Sequence, residues 1–145
     1  MTVDVRRSLI NYFWDRLTTD SSLKTIMGDT VRCYWPKAVA NAAFPYLVHR
    51  LDIRSDPGTY VVQRATYFLD IWSDSVDGAE VTNIRERLVQ LLDQLGFSTD
   101  DVKSAHIEFL SDTDVPMDEQ GIWHHAMIWE LIFRRDSEAA SIEGR

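Results

Sequence analysis

The sequence predicts an α+β fold: a mainly antiparallel sheet flanked by helices, in the order α-α-β-β-β-α-β-β. Three observations predict it. Residues 4–17 and 79–95 place apolar side chains at helical spacing, and residues 59–73 and 122–133 read as strands with a period of two. Short turns join most of the strands, and short turns connect antiparallel neighbours, because a parallel pair needs a crossover of about a dozen residues.

The first helix rests on Val5, Leu9, Tyr12, Phe13 and Leu17, with Thr2 or Asp4 able to cap it. A second, short helix is predicted over Ser21–Met27, with Asp20 as N-cap and Gly28 as a left-handed stop. Val31–Trp35 reads as a short strand ended by Pro36, which has no N–H for a ladder. Residues 37–44 are small and irregular, and are expected to form a surface loop able to change shape. Pro45 opens the strand Tyr46–Ile53, and Arg54-Ser55-Asp56-Pro57-Gly58 has the residues of a turn.

Thr59–Ser73 reads as a long strand, with a bulge expected near Gln63–Ala65. Tyr67, Leu69 and Ile71 face one way and Phe68, Asp70 and Trp72 the other. Val81, Ile84, Leu88, Leu91, Leu92 and Leu95 form the stripe of a third helix, Ala79–Leu95, stopped by Gly96. Ala105–Leu110 reads as a strand, residues 111–121 as an acidic turn, and Ile122–Phe133 as the last strand. On that strand Trp123, His125, Met127, Trp129, Leu131 and Phe133 share a face.

The 145 residues suit one domain with one core, and an apolar fraction of 45% makes it globular rather than disordered. Residues 1–136 are expected to be that domain. Residues 137–145 are expected to be a disordered tail, because Ile142-Glu143-Gly144-Arg145 resembles a factor Xa site left by engineering. No apolar run approaches the ~20 residues of a membrane span. Met1–Arg7 lacks a signal core, so folding in the cytosol is the expectation. Cys33 is the only cysteine, which excludes an internal disulfide and predicts a buried, inert thiol. A net charge of −8 with scattered arginine pairs argues against nucleic acid as a partner of the whole surface.

Residues with catalytic or ligating chemistry do not converge in the sequence. His124 and His125 are adjacent on a strand and point to opposite faces, so they cannot share a metal. Asp112, Asp114, Asp118 and Glu119 form an acidic cluster. A calcium loop would need a ligand and a glycine where Pro116 and Met117 stand, so a solvated hairpin loop is expected. Asp70, between Leu69 and Ile71, is either a base with a raised pKa or a carboxylate paired with Arg50 or Arg64. No metal, no cofactor and no enzymatic activity are expected. Most tryptophans fall in strands and are expected in the core. Trp35 stands at the mouth of a loop, and with Phe44 it is a candidate interface contact.

Several segments together carry a resemblance. They are the first helix, Val31-Arg32-Cys33-Tyr34-Trp35-Pro36, Phe44-Pro45-Tyr46-Leu47-Val48-His49, and Phe68-Leu69-Asp70-Ile71-Trp72-Ser73 with the helix after it. In order and spacing, over residues 4–134, the chain resembles the small tail-completion proteins of long-tailed phages and prophages, which include tail terminators and head–tail joining proteins. The resemblance implies a non-enzymatic virion protein, made in the host cytoplasm, that assembles as a ring, commonly a hexamer. Such a ring caps the tail tube or joins it to the head. The implied partners are further copies, tail-tube proteins and head-connector proteins, with DNA passing unread and no membrane involved.

For that role the candidate contact residues are Trp35, Pro36, Phe44, Arg54 and Asp56. Asp112, Asp114, Asp118 and Glu119 are candidates to face a lumen or a partner, since negative walls repel phosphate. Two other functions fit the residues. One is a host interaction or regulatory domain that dimerises through its sheet. The other is a small enzyme or ligand-binding domain using Asp70 and a histidine.

Overall fold

A computed structural model describes residues 5–54, 62–117 and 121–135. Asp56, Asp118, Glu119, the Pro57-Gly58 turn and the tail at 137–145 lie outside the described residues. The elements run α1 (Val5–Thr18), α2 (Ser21–Met27), β1 (Cys33–Tyr34), β2 (Tyr46–Arg54), β3 (Val62–Ser73), α3 (Ala79–Leu92), β4 (Leu95–Phe97), β5 (Val102–Val115) and β6 (Trp123–Arg135). The α+β class holds. Six strands form one sheet in the order β1-β2-β3-β6-β5-β4. The sheet is mixed rather than antiparallel throughout, because β1 pairs with β2 in parallel.

Helices α1 and α3 pack on one face of this sheet, and α2 packs against them. Leu9, Ile10, Phe13 and Leu17 recur every three to four residues on α1 and are buried. They meet Leu47, Leu51, Tyr67, Leu69 and Ile71, which occupy alternate positions of β2 and β3. On β6 the same face carries Met127, Trp129, Leu131 and Phe133, each fully buried. Phe13 stacks on Tyr67 with ring centres 4.3 Å apart, and Tyr12 stacks on Phe97 at 3.9 Å. Among the described residues, no helix or strand covers the opposite face.

The short helix α2 forms as its capping residues predict. The Asp20 carboxylate accepts the Leu23 N–H at 2.9 Å, and Gly28 adopts φ 84°. A tertiary partner reinforces this cap: Arg87 of α3 donates to both Asp20 oxygens, at 2.8 and 2.6 Å. The guanidinium holds the Asp20 carboxyl below its usual range. Replacing Asp20 with alanine removes a helix cap and a forked ion pair together. The expected loss is roughly 2 kcal/mol, after discounting for partial exposure. Urea unfolding measures it, and a loss indistinguishable from zero would show that the pair contributes nothing.

Three expectations are corrected. Helix α3 ends at Leu92 rather than running to Leu95, and Leu95–Phe97 is an additional strand. The neighbouring strand captures the chain there. The Gln94 N–H donates to the Ile107 carbonyl at 2.9 Å, and the Asp93 carboxylate accepts the Phe109 N–H at 2.9 Å. Second, residues 111–115 are not part of a loop but continue β5, paired with His124–Ile128 of β6. Third, the expected bulge at Gln63–Ala65 is absent, since β3 pairs without a break on both sides. The irregularities lie in β5, between Lys103 and His106 and between Phe109 and Ser111. The second one places an extra residue, Leu110. It turns Asp112 and Asp114 onto the face of Met127 and His125, their partners across the ladder.

Candidate functional site

The uncovered face of the sheet is built from alternate residues, and its lower corner is aromatic. Tyr34 of β1 pairs beside Val48, which puts it on that face. Tyr46, Trp72 and His124 follow on β2, β3 and β6, in register across the strands. Their rings form a ladder. Tyr34 meets Tyr46 edge-on at 5.9 Å, Tyr46 is parallel to Trp72 at 6.0 Å, and Trp72 stacks on His124 at 3.9 Å. Phe44 closes over Tyr46 at 5.2 Å.

The loop beside this ladder is tied down by one arginine. Arg32 Nε donates to the carbonyls of Ala43 and Pro45 at 3.0 and 3.2 Å, and its Nη2 donates to the Phe44 carbonyl at 3.0 Å. The peptide bonds Trp35–Pro36 and Phe44–Pro45 are both cis. Trp35, fixed at the end of β1, leaves 46% of its surface exposed. The structure thus places Trp35, Pro36 and Phe44 in one corner, as contact candidates of different exposure. Phe44 is half-buried against the ladder, whereas Trp35 and Pro36 are exposed. Arg54 stands apart, at the far end of β2.

Asp112 and Asp114 belong to a second cluster. His125 lies between them, with Nδ1 2.8 Å from Asp114 and Nε2 2.7 Å from Asp112. Arg85 of α3 donates to Asp112 at 2.7 Å. That arginine, with help from His125, holds the Asp112 carboxyl below its usual range. Asp112 is therefore a structural anchor between β5 and α3, while the Asp114 side chain is 84% exposed.

Of the residues considered for catalysis, the structure brings together Asp70 and one histidine, His124, on the open sheet face and outside the polar cleft beside α1. Asp70 sits on the uncovered face, 3.5 Å from His124 Nε2. It pairs with neither expected arginine, because Arg64 contacts Glu130 at 3.4 Å and Arg50 lies over the Phe68 ring. His49 is on the opposite face, buried and 2.7 Å from the Tyr67 hydroxyl. An open polar cleft of about 480 Å³ lies between α1 and the β4–β5 turn, lined by residues such as Arg7, Ser8, Tyr12 and Thr99, and it contains neither Asp70 nor a histidine. Cys33 is buried, and burial pushes its thiol up to about 12, which leaves it protonated and unreactive. Among the described residues, no three His, Cys, Asp or Glu side chains are grouped to hold a metal.

The tryptophans divide differently from expectation. Trp129 is fully buried, whereas Trp14, Trp35 and Trp123 are each more than two-fifths exposed. The aromatic ladder itself was not anticipated. Its signal was present as an aromatic or imidazole ring at the same end of successive strands: Tyr34, Tyr46, Trp72 and His124.

Comparisons with known proteins bear on what such a surface does. Residues 13–132 match the family model described as Tail completion protein gp17. A chain in a solved structure described as the virion of a native gene transfer agent particle shares the fold. Its TM-score is 0.70 at 12% identity, over 92% of this chain and 99% of that one. No curated protein matches.

Proposed function

The chain belongs to the tail completion protein gp17 family, and from that premise we propose that it completes or terminates a phage tail as one subunit of a ring. It is a phage structural protein, and its contribution is contact rather than chemistry. The single observation that carries this reading is the family match over residues 13–132. The uncovered sheet face and its aromatic corner supply a physical basis, since half-exposed aromatic rings on a braced scaffold are typical anchors of protein interfaces.

In this reading further copies pair side by side, and tail-tube and head-connector proteins meet the two ends of the ring. Assembly takes place in the host cytoplasm, and the finished protein resides in the virion. DNA passes through without being read. Asp114 keeps the lumen or partner-facing end of β5 negative, and Asp118 and Glu119, outside the described residues, are candidates for the same role. Free phosphate then has nothing there to bind.

Complementation tests the role. Phage lacking this gene is expected to accumulate heads and tails that do not join, or tails of uncontrolled length, and supplying the protein in trans restores infectivity. Trp35→Ala is expected to cost no more than about 1–2 kcal/mol of stability, because nearly half of the residue is in solvent. The same variant should lower the yield of infectious particles by on the order of tenfold or more. Full infectivity with Trp35→Ala would remove this corner from the interface.

A further inference from the structure

A row of four charged side chains crosses the uncovered face of the sheet. Arg54 of β2 lies directly opposite Arg64 of β3. Arg64 reaches diagonally to Glu130 of β6 at 3.4 Å. Glu130 lies directly opposite Glu108 of β5. The signs therefore run plus, plus, minus, minus from the β2 side of the sheet to the β5 side. Like charges directly opposite each other on neighbouring strands are destabilising, and this row contains two such pairs. The inner arginine and inner glutamate neutralise each other. The outer two do not: among the described residues no acid pairs with Arg54, and Glu108 has only His106 at 3.3 Å.

The two outer charges stand beside strand edges that, among the described residues, other strands cover only in part. Strand β1 covers β2 only at Leu47 and Val48, so among the described residues no strand lies beyond residues 49–54, although Arg6 of α1 donates to the Leu51 carbonyl there. Strand β4 covers β5 only at Ala105–Ile107; the Asp93 carboxylate then takes the Phe109 N–H, and beyond it no described strand lies on that side of β5. Other exposed charges follow this division only in part, since Asp52 lies between Arg50 and Arg54 on β2, and Lys103 lies on β5. Lys37 and Arg50 are exposed on the β1–β2 side, and Asp100 and Asp114 on the β4–β5 side.

We propose that the β2 edge of one copy docks beside the β5 edge of a second copy of this chain, so that Arg54 meets Glu108 and the charge row continues from subunit to subunit. The inference rests on the ring reading above and names the surfaces that would form it. Charge complementarity also selects the symmetry. Two β2 edges together would be plus against plus, and two β5 edges minus against minus. Only the unlike edges attract, so contacts are head-to-tail and a two-fold dimer is disfavoured. Head-to-tail contacts either close into a ring or continue as a filament.

Single reversals at these positions have opposite effects on the monomer and on the assembly. R54E places an acid opposite Arg64, and E108R places a base opposite Glu130. Each relieves a like-charge pair inside the monomer, so thermal stability stays equal to the parent or rises. Each also makes both edges of the subunit alike in sign, and self-association, followed by sedimentation at low salt and on tail tubes lacking the protein, is expected to fall on the order of tenfold or more. An equimolar mixture of R54E and E108R is expected to recover assembly, because an all-acidic copy can alternate with an all-basic one. The double variant R54E/E108R is expected to assemble by itself.

Single variants that assemble like the parent, or a mixture that fails to recover, would overturn the edge assignment while leaving the ring reading intact. A parent protein that never forms a closed oligomer, alone or on tubes, would instead overturn the ring.

Discussion

Replacing Trp129 with alanine is expected to remove about 3–5 kcal/mol of stability. Trp129 has no exposed surface and lies on β6, directly across from Tyr67 of β3. Phe109 of β5 meets its ring edge-on at 4.9 Å. On its far side Tyr67 stacks against Phe13, so one indole links three central strands to the layer that packs on α1. Truncation loses the transfer free energy of the ring and leaves a cavity that a paired strand cannot collapse to fill. A domain of this size has only about 5–15 kcal/mol in total, so the melting temperature should fall by about 10 °C or more. Differential scanning calorimetry checks this, with Trp35→Ala as the exposed control. A drop no larger than that of the control would mean that the core does not depend on Trp129.

The second large effect is a dependence of stability on pH between about 4 and 6.5, due to His49. Its ring is buried, and burial pulls its pKa down to about 4. Unfolded, it takes a proton near 6.5. Within that window the unfolded chain holds one more proton than the folded one, so stability rises with pH. The contribution is complete above pH 6.5, declines as pH falls toward 4, and amounts to about 3 kcal/mol. The carboxylates held down by arginine, Asp20 and Asp112, act in a lower window. Their stabilisation is present above the ordinary carboxylate range and is lost as pH falls below it. Urea midpoints measured across pH 4–7 for the parent and for His49→Gln separate the two. A flattened slope for the variant is expected, and equal slopes would exclude His49 as the source.

Much of the fold was legible because it is local. The helical spacing of Leu9, Phe13 and Leu17, the Asp20 and Gly28 caps of α2, and the alternation of Tyr67, Leu69 and Ile71 all follow from neighbouring residues. The aromatic corner was legible only in part. Trp35 and Phe44 flank a loop that proline marks at both ends, but nothing near them indicates that Arg32 holds that loop's carbonyls. The strand β4 was not legible, since Leu95 also continues the apolar stripe of α3.

By itself, then, the sequence determined the class, the order of its main elements and the side of each helix that is buried. Those depend on backbone preference and on periodicities of two and about 3.6 residues, which a single segment carries. Only the tertiary structure decided which strands lie side by side, that β5 bulges at Leu110, and that Arg54 and Glu108 end one charge row at opposite sides of the sheet. Register between distant strands sets those facts. A shift of one residue would send every side chain of a strand to the other face, and no local preference distinguishes the two.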